Sequence, residues 1–320
     1  MGAGVGRYPF TGIPSGWFVV AASDELAPGQ IIGTRYFGRD LVLYRTASGQ
    51  AVLSDAHCPH MGAHLEAGCV EGETLRCPFH GFQYDVDGSC VATPYGKGLP
   101  RRARLNTWLV REQSGLVLAW HDADDKPPEW SVPELSLDSW SGLLLRRYEV
   151  ATHPQETSEN SIDFGHFTSV HNFHHAEMTR EVTTEGPLLR SAYAIDATLG
   201  VIGLPKQSVR ADFDVEVWGL GYSLVNLTLK AFGLRGRLFV LPVPIDEEHI
   251  HLRLAGMVNH HSRLLGAVLR QIVVRAFWAE VEEDIPVWTT KKYVHPPALA
   301  PGDGPVALYR RWAQQFYPER

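Results

Sequence analysis

Two short stretches of the chain, Cys58-Pro-His-Met-Gly-Ala-His64 and Cys77-Pro-Phe-His-Gly-Phe82, bring thiol and imidazole groups close together. The first begins with the pattern C-x-H and the second with C-x2-H, and sixteen residues separate His60 from Cys77. Each half therefore supplies one thiolate and one imidazole. The proline and glycine residues in both stretches predict that these ligands lie on loops.

Two kinds of metal centre use two cysteines and two histidines. A 2Fe-2S cluster of the Rieske type has two cysteines on one iron and two histidines on the other, and it transfers one electron at a time. A structural zinc site needs the same ligand types, but it usually pairs like with like, as C-x2–4-C followed by H-x3–5-H. Because each half here pairs unlike ligands, the spacing favours the iron–sulfur cluster over zinc.

The two loops resemble the cluster-binding loops of the Rieske family, which makes Cys58, His60, Cys77 and His80 the implied cluster ligands. Respiratory members of that family carry a further cysteine in each loop and join the two in a disulfide. By this resemblance, the corresponding positions here are Ala63 and Phe79, and neither is a cysteine. The chain therefore resembles the oxygenase branch of the family. Cys69 and Cys90 lie outside the ligand pattern, and we interpret them as ordinary buried or partly buried thiols;.

Composition limits the classes of function. A chain of 320 residues that is 44% hydrophobic is long enough for two domains, each with its own core;. A net charge of −7 gives no general electrostatic reason to bind nucleic acid or an anionic membrane;. Residues 1–10 lack the features of a signal peptide, and no run of about 18 apolar residues occurs;. We therefore expect a cytoplasmic protein without a membrane span.

The order of patterns predicts an α+β protein with two domains. Short apolar stretches between turn residues predict an all-β module over residues 17–120. Residues 121–129, with three aspartates and two consecutive prolines, predict a linker;. We place the domains at residues 14–122, for the all-β Rieske domain, and 130–320.

The second domain is predicted to contain an antiparallel sheet and a long closing helix. Alternation of apolar and polar residues over 209–217 is typical of half-buried strands;. Residues 264–287 carry apolar side chains at helical spacing, and we expect one stripe of them to pack on the sheet. That stripe comprises Leu265, Val268, Ile272, Val273, Phe277 and Val281.

A second group of potential ligands lies in residues 159–171, Glu-Asn-Ser-Ile-Asp-Phe-Gly-His-Phe-Thr-Ser-Val-His. A helix is predicted over residues 158–170, but on an ideal helix His166 and His171 would point about 140° apart. A π-bulge, which Gly165 would ease, could bring them into register. The rival pair is His171 and His175, which are four residues apart and would share one helical face;.

Two histidines and one carboxylate are the facial triad of non-haem iron oxygenases, which leaves positions open for O2 and substrate. The pattern Asn-x2-Asp-x2-His-x4-His, from Asn160 to His171, resembles the catalytic domain of Rieske oxygenases. That resemblance implies a helix-grip (START-like) fold, with His166 and His171 as ligands of a mononuclear Fe(II). It also implies a third ligand on the long C-terminal helix, at Asp284, with Glu283 as the competitor.

The resemblance gives Asn160 and Asp163 catalytic roles. Asp163 is similar to the aspartate that hydrogen-bonds a metal-bound histidine and links two iron centres across a subunit interface. In a homotrimer, His80 of one chain would then face Asp163 and His166 of its neighbour. A carboxylate on the free ring nitrogen fixes the tautomer of a ligating imidazole. The alternative is that Asp163 is an ordinary polar residue on a helix surface.

The C-terminal run from Asp284 to Tyr317 resembles the tails of bacterial ketosteroid hydroxylases and sterol desaturases. This implies an apolar, polycyclic or steroid-like small molecule as substrate and monooxygenation with O2 as the reaction. Desaturation, dihydroxylation and dealkylation would use the same ligands with a different placement of substrate. An alternative of another class is a Rieske electron carrier without oxygenase activity.

Electrons are expected to come from another protein. The chain has no strand-linked G-x-G-x-x-G fingerprint for a nicotinamide cofactor;. We therefore expect NAD(P)H to be oxidised by a separate flavin/iron–sulfur reductase, with or without a ferredoxin as intermediate carrier.

Overall fold

The computed structural model describes residues 7–10, 12–171, 173, 176–199 and 207–318. These divide into two compact units, Phe18–His121 and a second unit that joins the residues from Asp122 onward to the N-terminal segment up to Trp17. In that segment, the Arg7 guanidinium donates a hydrogen bond to the backbone carbonyl of Trp288 at 2.7 Å. This contact holds the segment against the second unit.

The unit Phe18–His121 contains only strands and short 3₁₀ turns, which confirms the all-β prediction. Its strands form three small sheets, in the orders β1-β10-β9, β2-β3-β4 and β5-β6-β7-β8. Their bounds are β1 Gly16–Ala22, β2 Ile31–Tyr36, β3 Arg39–Arg45, β4 Ala51–Asp55, β5 Cys69–Glu71, β6 Thr74–Arg76, β7 Gln83–Tyr84, β8 Cys90–Ala92, β9 Val110–Gln113 and β10 Leu116–His121. Buried Tyr44, Leu65, Leu75 and Tyr84 form the core against which the cysteine loops pack.

The second unit is built on one seven-stranded antiparallel sheet, in the order β11-β17-β16-β15-β14-β13-β12. The bounds are β11 Leu144–Val150, β12 Ala176–Glu185, β13 Leu188–Leu199, β14 Gln207–Trp218, β15 Tyr222–Leu229, β16 Leu234–Pro244 and β17 Ile250–Asn259. On β14, Val209, Ala211, Val215 and Val217 are buried, as their period of two predicts;. The α+β prediction is therefore confirmed.

In the described part of this unit, four α-helices accompany the sheet: α1 Pro154–Glu159, α2 Gly165–Ser169, α3 Arg263–Thr290 and α4 Val306–Ala313. The predicted long helix is α3, which begins where the side chain of Ser262 accepts a hydrogen bond from the backbone of Leu265. It approaches the sheet closely at Gly256, where an added Cβ would lie 2.8 Å from Val274. Within the described ranges, none of the helices combines the length and apolar character needed to cross a bilayer.

The predicted stripe on α3 is only partly correct. Val281 is buried and Phe277 packs on the core, but Leu265, Val268 and Ile272 are exposed. The first turns of the helix are apolar on several faces, so periodicity could not select the face that meets the sheet;. The buried Val274 marks that face instead.

The C-terminal tail holds α1 in place within the second unit. Arg310 donates two hydrogen bonds to Glu159, at 2.7 and 2.9 Å, and both side chains are nearly buried. The hydroxyl of Tyr309 donates to the backbone carbonyl of Gln155 at 2.7 Å. A buried ion pair is strongly destabilised when one partner is removed, so these contacts hold α1 in place.

Gly304 allows the tail to approach the bend that precedes α2. Its φ is +75°, and a Cβ there would collide with the carbonyl oxygen of Ile162. We expect Gly304→Ala to lower the free energy of unfolding by about 2 kcal/mol or more, because backbone strain and steric overlap add. Gly302→Ala is the matched control, since it shares a positive φ but meets no atom within 4 Å. Equal thermal midpoints for the two variants would contradict this role.

Candidate metal centres

The two cysteine loops of the first unit are built in the same way. In one, the amide of Gly62 donates to the carbonyl of Cys58 at 2.8 Å; in the other, the amide of Gly81 donates to the carbonyl of Cys77 at 3.1 Å. Both glycines have a positive φ, +76° and +66°, which glycine adopts without strain;. The sequence therefore folds each stretch into a tight turn that presents a cysteine and a histidine together.

The four predicted ligands meet at the tip of these loops. Cys58 and Cys77 are buried, and the rings of His60 and His80 lie 4.7 Å apart, centroid to centroid. The Nδ1 atoms of both histidines are buried without a hydrogen-bond partner in the described part of the chain. Buried polar atoms nearly always have partners, so two such nitrogens side by side fit a ligand that the protein itself does not supply.

The electrostatics of the thiols fit a metal cluster. Burial raises the pKa of the Cys58 thiol, so a thiolate there needs positive charge close by;. The hydroxyl of Tyr84 lies 3.1 Å from Cys58 Sγ and can donate to a thiolate. Tyr84 is not among the residues predicted from the sequence, because nothing in its spacing from the cysteines identifies it as part of the site. Two buried sulfurs and two unpartnered imidazole nitrogens match the donors of a Rieske cluster.

The second centre begins at a break between two helices. Residues 158–170 do not form the single predicted helix, because α1 ends at Glu159 and α2 begins at Gly165. The side chain of Asp163 accepts a hydrogen bond from the amide of Gly165 at 3.1 Å, which stabilises this bend. The π-bulge prediction was wrong for the described residues: α2 ends at Ser169, and the chain beyond it returns His171 to the side of His166.

The structure brings the three predicted iron ligands together. The rings of His166 and His171 have centroids 5.1 Å apart, and His171 Nε2 lies 3.5 Å from Asp284 Oδ1. One donor atom from each of the three residues lies within 4.8 Å of the other two. Asp284 is a buried carboxylate on α3, where a bound cation would offset the cost of its charge;. These side chains fit a facial triad.

Glu283 lies on the other side of the same imidazole. Its Oε2 is 3.1 Å from His171 Nδ1, and Oε2 of Glu280 is 3.4 Å from that atom. Nε2 of His171 therefore faces Asp284, while Nδ1 faces two glutamates. Burial lowers the pKa of His171, but hydrogen bonds to Asp284 and Glu283 outweigh it, so the pKa is raised. His171, Glu280 and Glu283 also converge, but that group lacks His166, so the geometry favours Asp284 over Glu283 as the carboxylate of a centre with two histidines.

Asp163 and Asn160 occupy different positions near this centre. Asp163 Oδ2 lies 3.6 Å from His166 Nδ1, a buried nitrogen without a closer partner among the described residues. Burial raises the pKa of Asp163, but the neighbouring His166 imidazole outweighs it and the pKa is lowered. Asn160 instead accepts a hydrogen bond from Trp288 Nε1 at 3.4 Å. The rival ligand His175 lies outside the described residues.

Two protein-family models match the chain. The model for the Rieske [2Fe-2S] domain matches residues 16–107, and the model for the 3-ketosteroid 9alpha-hydroxylase C-terminal domain matches residues 119–317. The second match covers more than half of the chain. The first range contains all four loop ligands, and the second contains all three residues of the facial triad.

Curated relatives match over nearly the whole chain. A probable 3-ketosteroid-9-alpha-monooxygenase, oxygenase component, of Rhodococcus rhodochrous is 31% identical over 318 residues, which cover 94% of this chain and 79% of the relative. A cholesterol 7-desaturase of Ciona intestinalis is 29% identical over 327 residues, which cover 96% of this chain and 69% of the relative.

Solved structures share the fold. Apo dicamba monooxygenase superimposes with a TM-score of 0.74 at 20% identity, covering 96% of this chain and 97% of that chain. NdmA of Pseudomonas putida CBB5 with caffeine superimposes with a TM-score of 0.72 at 21% identity, covering 93% and 89%. At such low identity the likeness concerns the fold alone.

Asp284 and Glu283 lie on opposite sides of the His171 ring, so substituting each in turn tests which of them binds the metal. We expect Asp284→Ala to abolish stoichiometric Fe(II) binding at the second centre, because a direct ligand is lost. Glu283→Gln should still bind one Fe(II), with an affinity reduced by about 10- to 100-fold at most, since it alters only a partner of a ligating histidine. Titration of metal-depleted protein with Fe(II), followed by metal analysis, measures both. The reverse pattern would make Glu283 the ligand.

Proposed function

This chain belongs to the Rieske oxygenases with a 3-ketosteroid 9α-hydroxylase C-terminal domain, and on that premise we propose that it hydroxylates an apolar, steroid-like small molecule with O2. It is thus an oxidoreductase and the oxygenase component of its system. The observation that carries the proposal is the convergence of His166, His171 and Asp284 within 4.8 Å, inside the matched catalytic domain.

The residues of the two centres have separate tasks in this proposal. Cys58, His60, Cys77 and His80 hold a 2Fe-2S cluster, and the facial triad holds one Fe(II). When bound, the cluster supplies single electrons and the Fe(II) supplies a binding and activation site for O2.

Carboxylates beside the triad orient its histidines. Glu283 lies where it would accept a hydrogen bond from Nδ1–H of His171, and Nε2 on the Asp284 side would then be free to bind the metal. Asp163 plays the corresponding part for Nδ1 of His166. A hydrogen bond on the free nitrogen fixes both the tautomer and the orientation of a ligating imidazole.

An aromatic row beside the triad supports an apolar substrate. The ring of Phe167 lies 6.3 Å from His171 and 4.9 Å from Tyr193, which stacks on Phe213 at 4.8 Å. Burial raises the pKa of Tyr193, so its hydroxyl stays neutral. Phe167 is buried, and Tyr193 and Phe213 pack on the hydrophobic core, so this flank of the triad carries no charge and suits an apolar ligand better than a polar one;.

The proposed reaction needs an electron donor, and the family pattern implies an oligomer. We propose that NAD(P)H supplies electrons through a separate flavin/iron–sulfur reductase, with or without a ferredoxin; the relatives named "oxygenase component" support a separate donor. We also propose a homotrimer in which His80 of one chain faces Asp163 of the next, the arrangement implied by the family pattern.

Desaturation is the second candidate reaction. It is favoured by the cholesterol 7-desaturases, which match 96% of this chain at 29–30% identity. The same triad would serve both reactions, and the position of the substrate over the metal would decide between them.

Isotope labelling tests the proposed reaction. We expect the purified protein, supplied with NADH, a reductase, a ferredoxin and a 3-ketosteroid under ¹⁸O₂, to give a product with one ¹⁸O atom. Mass spectrometry of the product measures this. A product lighter than substrate by two hydrogens, without ¹⁸O, would establish desaturation. Absence of any steroid product with the metal centres loaded would contradict the substrate class.

The proposed linking role of Asp163 predicts a selective defect. Asp163→Asn should retain cluster and iron but lower the single-turnover rate, by about 10- to 100-fold, because the partner of a ligating histidine is altered. Chemical-quench product analysis after reduction of the cluster measures the rate. Asp138→Asn is the comparison, since it changes an exposed carboxylate whose side chain contacts Ser136. A normal rate in Asp163→Asn would reduce Asp163 to a surface residue.

A further inference from the structure

Residues 94–102 form an exposed loop of the first unit, here called the basic loop. Every residue in it is exposed. Lys97, Arg101 and Arg102 lie on it, and their side chains make no hydrogen bond or ion pair with the described residues. The loop itself carries three basic residues and no acidic one, in a chain whose net charge is −7. The loop is thus a local positive patch on an acidic protein.

Ring contacts connect this loop to one cluster ligand. Tyr95, at the start of the loop, packs edge-on against Phe82 at 6.1 Å, and Phe82 stacks on His60 at 4.2 Å with an angle of 11° between the rings. Tyr95 is 55% exposed. The exposed aromatic ring therefore lies only two ring contacts from an imidazole of the proposed cluster.

The other imidazole has surroundings of its own. His80 contacts the exposed ring of Phe79, at 3.8 Å, and not the basic loop. In the proposed homotrimer the His80 side faces the neighbouring chain. The His60 side, with Phe82, Tyr95 and the basic loop, is then left for a different partner.

We propose that the basic loop is the docking site of the electron donor, an acidic one-electron carrier protein whose electrons reach the cluster from the His60 side. This inference rests on the proposed function and adds a location and a partner chemistry to it. Tyr95 and Leu99, both about half exposed, would form the apolar centre of the contact, and Lys97, Arg101 and Arg102 its charged rim. Apolar centres with charged rims are typical of protein interfaces.

Charge complementarity argues for this occupant. The net charge of −7 repels an acidic protein over most of the surface, so a positive patch beside the cluster directs its approach;. Rim charges act mainly on the association rate and its dependence on salt. A donor steered to the basic loop would arrive beside Tyr95, which ring contacts through Phe82 connect to His60.

Reduction of the cluster by a defined acidic carrier tests the proposal. The probe is reduced plant-type 2Fe-2S ferredoxin, mixed with the full-length holoprotein in a stopped-flow instrument at low and high ionic strength. We expect the second-order rate constant to fall with salt for the unaltered protein. In Arg101→Glu/Arg102→Glu it should be lower by about tenfold or more at low salt, with the salt dependence weakened.

Matched variants separate the local effect from general ones. Lys292→Glu/Arg311→Glu changes the net charge equally at exposed positions of the other unit and should leave the rate within about twofold of the unaltered protein;. Photoreduced deazaflavin, a small uncharged reductant, should reduce the cluster equally in all variants. Tyr95→Ala should slow reduction by ferredoxin without changing the salt dependence, and Tyr95→Phe should restore the rate.

Binding without electron transfer supplies an independent readout. Calorimetric titration with oxidised ferredoxin should show weaker binding for the loop variant only. Equal rates and affinities for the loop variant and the unaltered protein would overturn the proposal, as would failure of ferredoxin to reduce the unaltered protein. Loss of the native oligomer in the loop variant would instead make the loop an interface between copies. A preparation without a cluster would refute the proposed function itself.

Discussion

Buried groups that a bound metal would stabilise constrain both candidate centres. Nδ1 of His60 and Nδ1 of His80 are buried without a partner among the described residues, and Asp284 is a buried carboxylate. Desolvation of such an atom costs free energy that folding alone does not return. Ligands at both centres would offset that cost, so metal binding and folding are expected to be coupled in this protein. The carboxylates and thiols beside these groups would be further ligands, or partners of ligands, for the same metals.

In the second unit, elements that are far apart in the chain bring the proposed metal ligands together. α3 carries Asp284 to one nitrogen of His171 and Glu283 to the other, so one helix both completes the triad and orients it. The tail beyond α3 returns to α1 through Arg310 and Glu159. The C-terminal run that resembles ketosteroid hydroxylases thus has a structural task, because it fixes the segment that leads to the histidines.

The cluster loops were the most predictable part of the molecule, because their ligands are close in sequence and the glycines and prolines determine the turns. The helix over residues 158–170 was not, since a pattern of ligand spacing does not reveal where a helix breaks. Asp284 lies 113 residues from His171, so only a family resemblance could propose it. Its distinction from Glu283 depends on which side of one ring each carboxylate occupies, and no sequence pattern encodes that.

Metal and acid-labile sulfide content, combined with an EPR spectrum of the dithionite-reduced protein, tests whether the chain holds both metal centres. A chain with both centres should contain about three irons and two sulfides, and His166→Ala should lose one iron while the Rieske signal is retained. Zinc without sulfide would exclude the iron–sulfur cluster. Cluster iron alone, unchanged by the substitution, would mean that the protein carries electrons and has no catalytic iron.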